Sequence, residues 1–185
     1  MLSKLANEVS GAIVAAIQGV DDSVTALRNA VKNQTTGIFK DVTDLTTAGL
    51  DSVADIVSGA ISGASKVGMS LTDAAKQSVS SVVASVSEVG GDTIEAAGKA
   101  AKGVVEGASD LGGDITAAAV SAVEGAIEGA GKVGVDTVQA GEKAVSEVIK
   151  AADGVSEDVG KAVRNTLLTA ASIPHDVVEK VIKGS

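Results

Sequence analysis

Hydrophobic and polar positions recur along this chain on a period of eleven residues. From Val9, every eleventh residue is Val, Ala or Gly: Val20, Val31, Val42, Val53, Ala64, Ala75, Val86, Ala97, Ala108, Ala119, Ala130, Gly141, Ala152 and Val163. The next step is Pro174, the only proline, and no residue is inserted or deleted before it. Eleven residues make three helical turns at about 3.67 residues per turn, so a stripe on that period stays on one side of a long helix.

Lettering each repeat a to k from Val9 places a, d and h on one face, flanked by e and i. From Val42 onward, d includes Leu45, Ile56, Val67, Val89, Leu111, Val133 and Val155. Position h includes Leu71, Val82, Val104, Ile115, Val148 and Val159. The opposite face, centred on c with g and j, carries the charge, for example Asp44, Asp55, Lys66, Glu88, Lys99, Lys132 and Lys143 at c. Glu95–Lys99 and Glu128–Lys132 stand at the i,i+4 spacing that favours ion pairs. Small or apolar residues fill about half the circumference, wider than the seam of a two-stranded coiled coil.

A second rhythm runs at twice the period. Position e reads Val57, Gly68, Val79, Gly90, Ala101, Gly112, Val123, Gly134 and Val145. Alternating bumps and gaps allow close, interlocking backbones; duplication of a unit twice as long gives the same pattern without a packing role. The 22 glycines oppose an isolated helix by on the order of 10–20 kcal/mol. A lone chain in water is therefore expected to be mostly disordered or marginally helical. Copies of itself, another helix or a membrane would supply the missing stability.

The expected fold class is all-α: one very long hendecad-repeat helix over residues 1–173 in a right-handed multi-helix coiled-coil assembly. As a single rod it would be about 250 Å long. Reversals are conceivable at Asn33–Gly37, Gly90-Gly91 and Gly112-Gly113, but the phase passes through all three, so the continuous rod is preferred. Pro174 ends the phase, and residues 174–185 are expected to form a short amphipathic helix or tail with Val177, Val178, Val181 and Ile182 on one face. The expected interface between copies comprises Val42, Leu45, Val53, Ile56, Val67, Val89, Leu111, Ile115, Val133, Val148 and Val155 for burial. Gly68, Gly90, Gly112 and Gly134 would serve close approach.

Composition sharpens this picture. Phe39 is the only aromatic residue, and Trp, Tyr and Cys are absent. The chain is too poor in large side chains for an ordinary globular core, yet a mean hydropathy of +0.32 is too apolar for simple disorder. A net charge of −9 disfavours nucleic acid, which needs clustered Lys and Arg, and weakens docking on anionic lipid. The run Gly11–Ile17 has the length of a signal-peptide core, but Glu8 precedes it and a clear n-region is missing. It is read as the first turns of the helix, which leaves a cytoplasmic or membrane-associated location favoured. No uninterrupted apolar stretch reaches the ~18–20 residues of a membrane span.

Candidate chemistry is sparse. His175, the only histidine, has no partner at triad or ligand spacing. Gly131-Lys132-Val133-Gly134 lacks the preceding strand and the Gly-Lys-Ser/Thr ending of a phosphate loop. The carboxylates lie on the solvated strip. The expectation is of no catalytic residue, no metal, no cofactor, no small-molecule substrate and no enzyme.

Lys102-Gly103-Val104-Val105-Glu106-Gly107-Ala108 and Glu124-Gly125-Ala126-Ile127-Glu128-Gly129-Ala130-Gly131-Lys132-Val133-Gly134-Val135 resemble the eleven-residue repeats of synucleins and perilipins in period and in Gly/Ala/Val/Thr usage. That resemblance implies a long amphipathic helix lying on a lipid surface. In repeat length the chain is also similar to late-embryogenesis desiccation proteins, which are far more hydrophilic. Three functions follow in order of expectation. The first is a structural protein that assembles with copies of itself into a bundle, barrel or filament, with membrane association left open. The second is a lipid-surface binder. The third is a stress protectant that orders on drying or binding.

Overall fold

A computed structural model describes residues 3–41 and 48–184. These form α1 (Lys4–Ile17), α2 (Ser23–Asp41), α3 (Ala48–Lys66), α4 (Leu71–Glu88), α5 (Thr93–Asp110), α6 (Ile115–Val133), α7 (Thr137–Val155), α8 (Glu157–Thr169) and α9 (His175–Lys183). The fold is all-α, but the single long helix is overturned: the repeat array is cut into short helices that pack on one another.

The cuts have a local cause that recurs every 22 residues. Gly68, Gly90, Gly112 and Gly134 each take a left-handed φ, between 65° and 81°. Around each, the chain closes a Schellman motif, in which two amides past the helix return to its last carbonyls. The Gly91 amide donates to the Val86 carbonyl at 2.9 Å and Gly90 to Ser87 at 3.1 Å. Met69 to Ala64, Gly113 to Ala108 and Val135 to Ala130 repeat the first bond at 2.9–3.0 Å.

Two residues after each glycine comes an N-cap. Ser70, Asp92, Asp114 and Asp136 accept backbone amides of the next helix. Asp114, for example, accepts from Thr116 and Ala117 at 3.0 and 3.1 Å. Each unit is thus one helix plus a Gly-x-Asp/Ser turn, and two eleven-residue repeats fill it. The eleven-residue phase survives every such turn because helix and turn together have twice its length.

The helices stand in two rows. The odd row joins α1 to α3, α3 to α5, α5 to α7 and α7 to α9; the even row joins α2 to α4, α4 to α6 and α6 to α8. Sequential helices also touch, and among the described residues no contact links helices more than two apart. Fully buried Val53, Ile56, Val57, Val79, Val82, Val104 and Val123 form part of the continuous core. The stability expected from other chains therefore comes largely from neighbouring helices of the same chain.

The connections from α1 to α2, from α7 to α8 and from α8 to α9 depart from this unit. Asp22 caps α2, accepting the Thr25 amide at 3.0 Å and its hydroxyl at 2.6 Å. Ser156 alone joins α7 to α8, and Arg164 of α8 grips Asp153 of α7 with two bonds of 2.8 and 2.5 Å. The helix α9 lies on α7 and α8 with Val177 and Val178 buried. Phe39 is buried at the end of α2, and a Cβ added to Gly49 of α3 would stand 3.0 Å from its ring.

Candidate functional site

The sequence-predicted interface residues fall into three environments. Val53, Ile56 and Val148 are fully buried inside the chain. Gly68, Gly90, Gly112 and Gly134 form the turns, where an added Cβ would meet nothing within 4 Å. Their assigned role in close helix approach is corrected: they are needed for φ, since a left-handed backbone penalises any Cβ. Val67, Val89, Leu111 and Val133 immediately precede those glycines. Ile115 opens α6 and Val155 ends α7. Leu111 and Val155 are exposed. Val42 and Leu45 lie outside the described residues. The alternation at position e thus separates the middle of each helix, where Val57, Val79, Ala101, Val123 and Val145 are buried, from its turn. Of the three candidate reversals, Gly90-Gly91 and Gly112-Gly113 are turns, while Asn33–Gly37 lies inside α2.

Close approach belongs to a different set of glycines. On α3, Cβ atoms added at Gly59 and Gly63 would run into Ala6, Val9, Ser10 and Ile13 of α1. On α5, Gly103 and Gly107 sit the same way over Ala54, Ser58 and Ile61 of α3. On α6, Gly125 and Gly129 sit over Lys76, Val79, Ser80 and Val83 of α4. Each pair has the Gly-x-x-x-Gly spacing that puts two gaps on one helix face and lets backbones touch. That spacing is visible in the sequence, but it crosses the eleven-residue phase.

Charge pairs lock the same stacks. Lys99 of α5 meets Asp51 of α3 at 3.4 Å, Lys143 of α7 meets Glu95 of α5 at 2.8 Å, and Lys32 of α2 meets Glu88 of α4 at 2.8 Å. Lys76 of α4 reaches Glu128 of α6 at 3.3 Å, and Lys180 of α9 reaches Glu142 of α7 at 2.8 Å. The expected pair Glu128–Lys132 forms within α6 at 2.5 Å. Hydrogen bonds from Lys132 and then Lys76 hold the Glu128 carboxyl below its usual range. Glu95 and Lys99, by contrast, spend their charge on neighbouring helices. The bond to Glu95 raises the Lys143 ammonium above its ordinary value.

The nearest approach to a nucleophile beside a base is Ser10. Lys66 Nζ donates to Ser10 Oγ at 3.0 Å, and Ser10 Oγ donates to Ser62 Oγ at 3.4 Å. Ser10 is fully buried between α1 and α3, so no substrate reaches it; the trio satisfies polar groups inside a helix contact. Among the described residues no group of three or more His, Asp or Glu side chains converges on a metal position. His175 opens α9 and is exposed.

One face of α1 is left exposed among the described residues. Gly59 and Gly63 cover Ala6, Ser10 and Ile13 of α1 as Gly103 and Gly107 cover Ala54, Ser58 and Ile61 of α3. In that register, Gly11 and Ala15 of α1 are the equivalents of Gly59 and Gly63. Among the described residues no helix covers them: both are exposed, and an added Cβ at Gly11 would meet no described atom within 4 Å. Beside them a groove of about 520 Å³ runs between α1 and α2, lined by Ala12, Ala16, Val20, Ala26, Ala30 and by Asn29, Asn33, Gln34, Thr25 and Asp22. Val20 is 48% exposed.

No protein-family model matches this chain, and no curated protein matches it.

Proposed function

We propose that this protein is a structural, self-associating helical protein without catalytic activity. The observation that carries the reading is the Gly11/Ala15 face of α1, which is exposed and lies under no helix among the described residues. It repeats a surface that further along the odd row is always under another helix. A repeat array buries each unit against its neighbours, and a face left uncovered favours a solitary chain only if that face is polar. Here α1 leaves Gly11, Ala15 and Ala16 exposed, with Val20 exposed just past its end.

The lipid reading has less support from the geometry. It relied on a wide free apolar face, and most of that face is spent between the rows. Among the described residues no helix is long and apolar enough to cross a membrane.

Sedimentation velocity over a concentration series tests the proposal. Growth of a discrete oligomer from the 18.0 kDa chain with rising concentration is expected. A single monomeric boundary at every concentration would remove the basis for self-association.

A further inference from the structure

We infer that the groove between α2 and α4 binds a small oxyanion, held by the Arg28 guanidinium with the hydroxyls of Ser80 and Ser81 as further donors. The inference does not depend on self-association.

The groove exists because α4 departs from a pattern that other stacked helices keep. Gly59/Gly63, Gly103/Gly107 and Gly125/Gly129 hold the same places in their units, and each pair sets its helix on the backbone of another. The same places on α4, 22 residues before Gly103 and Gly107, are Ser81 and Ser85. Side chains at both points keep α2 from the close contact that glycine permits. A groove of about 370 Å³ opens between α2 and α4, with both serines in its wall. On α7 the same places are Glu147 and Ala151, and there a groove of about 500 Å³ opens beside α5.

The two grooves differ in how their charges are engaged. In the α5–α7 groove, Lys102 pairs with Glu106 at 3.1 Å and Lys150 with Glu147 at 2.9 Å. The α2–α4 groove is lined by three cations, Arg28, Lys32 and Lys132, and one carboxylate, Glu88. Lys32 is paired with Glu88 at 2.8 Å, and Lys132 with Glu128. Arg28 has no ion pair among the described residues, whereas Arg164, the only other arginine, grips Asp153. Asp22 feels the charge of Arg28, but its two oxygens accept from the Thr25 amide and hydroxyl at 3.0 and 2.6 Å.

The wall supplies neutral donors. Ser80 and Ser81 are only 2% and 8% exposed, and both line the groove. Ser85 donates to the Ser81 carbonyl at 2.7 Å, but no hydrogen bond reaches the Ser80 or Ser81 hydroxyl among the described residues. Each hydroxyl can donate to an anionic oxygen, and Asn29 adds an amide donor. A guanidinium presents paired N–H groups that match two oxygens of a phosphate or a carboxylate. With a net charge of −9 the chain as a whole repels anions, so binding here requires these local donors.

An amide-resolved NMR titration tests the site. The probes are inorganic phosphate and acetate, added at neutral pH and constant ionic strength with chloride as the balancing ion. Expected is saturable one-site binding of at least one probe, with shifts centred on residues 25–32 and 80–88. Arg28 is exposed, so Arg28→Gln should keep its helicity by circular dichroism. It should weaken binding at least about tenfold. Lys40→Gln removes the same charge from an exposed position on the same helix and should change affinity by less than about twofold. Tighter phosphate assigns the groove to phosphate groups, and tighter acetate assigns it to carboxylates. Saturable binding of neither probe, equal binding by folded Arg28→Gln, or shifts centred elsewhere overturns the site.

Discussion

Gly103 of α5 lies directly on the backbone of Ala54 of α3: a Cβ added at Gly103 would stand 2.9 Å from the Ala54 Cα and overlap its carbonyl oxygen. Backbone cannot step aside as a side-chain tip can. In an exposed helix, glycine to alanine stabilises by roughly 0.5–1 kcal/mol. At Gly103 the sign should reverse, with Gly103→Ala losing about 1–3 kcal/mol through overpacking. Gly154→Ala, in α7 with nothing within 4 Å, should show the ordinary gain. Urea unfolding of the two variants checks the contrast; equal gains would show that α5 and α3 are not in contact.

The turn glycines respond for another reason. Gly112 has φ +65° and open space around it. Gly112→Ala meets no neighbour, yet places a Cβ on a left-handed backbone, at a cost of about 1–2 kcal/mol. Asp114→Ala, which removes the cap two residues later, should lose about 1 kcal/mol. Denaturant midpoints with an unchanged slope are the readout.

One buried hydroxyl is unsatisfied. Ser78 is fully buried in α4, and its Oγ finds no hydrogen-bond partner among the described residues. In register, Ala100 of α5 and Ala122 of α6 occupy the equivalent buried position. Ser78→Ala should therefore raise stability by about 1 kcal/mol, since it removes a desolvated group with no compensating bond. A loss measured by thermal unfolding would mean that the hydroxyl is bonded.

Acid should weaken the array. Hydrogen bonds from Thr25 hold Asp22 below its ordinary 3.8, and those from Thr116 and Ala117 do the same for Asp114. The Gln139 amide lowers Asp136, and Arg164 lowers Asp153. A carboxyl whose folded pKa is depressed contributes stability that is present above its unfolded value and is lost as pH falls through the folded one. The loss therefore belongs below about pH 4. Lys143 and Lys180 are raised above 10.5 by Glu95 and Glu142; their contribution is present below 10.5 and is lost as pH rises through the higher folded values. Melting temperatures between pH 2.5 and 11.5 should fall at both ends, and a chain equally stable at pH 2.5 and 6 would exclude these contacts.

The helical class and the polar strip were legible because both are local properties of an eleven-residue phase. The fold-back was not, because a turn of the right length leaves that phase undisturbed. Gly90, Gly112 and Gly134 read as gaps in a rod when taken alone. Taken with Asp92, Asp114 and Asp136 two residues on, each is a helix stop followed by a helix start. The close-approach glycines escaped for a related reason: Gly59–Gly63 and Gly103–Gly107 record contacts between helices that have another helix between them in the chain, which a single-helix projection cannot display.

The central claim is that the repeats fold back on themselves within one chain, and the pair Asp51 and Lys99 tests it most directly. They are 48 residues apart, and their side chains meet at 3.4 Å across α3 and α5. Spin labels on Asp51→Cys/Lys99→Cys, diluted into excess unlabelled chain, report the intrachain distance. Adjoining helix axes stand roughly 8–10 Å apart, so the account predicts strong short-range dipolar coupling; a separation near 72 Å, the length of that many residues in one straight helix at about 1.5 Å each, would contradict it.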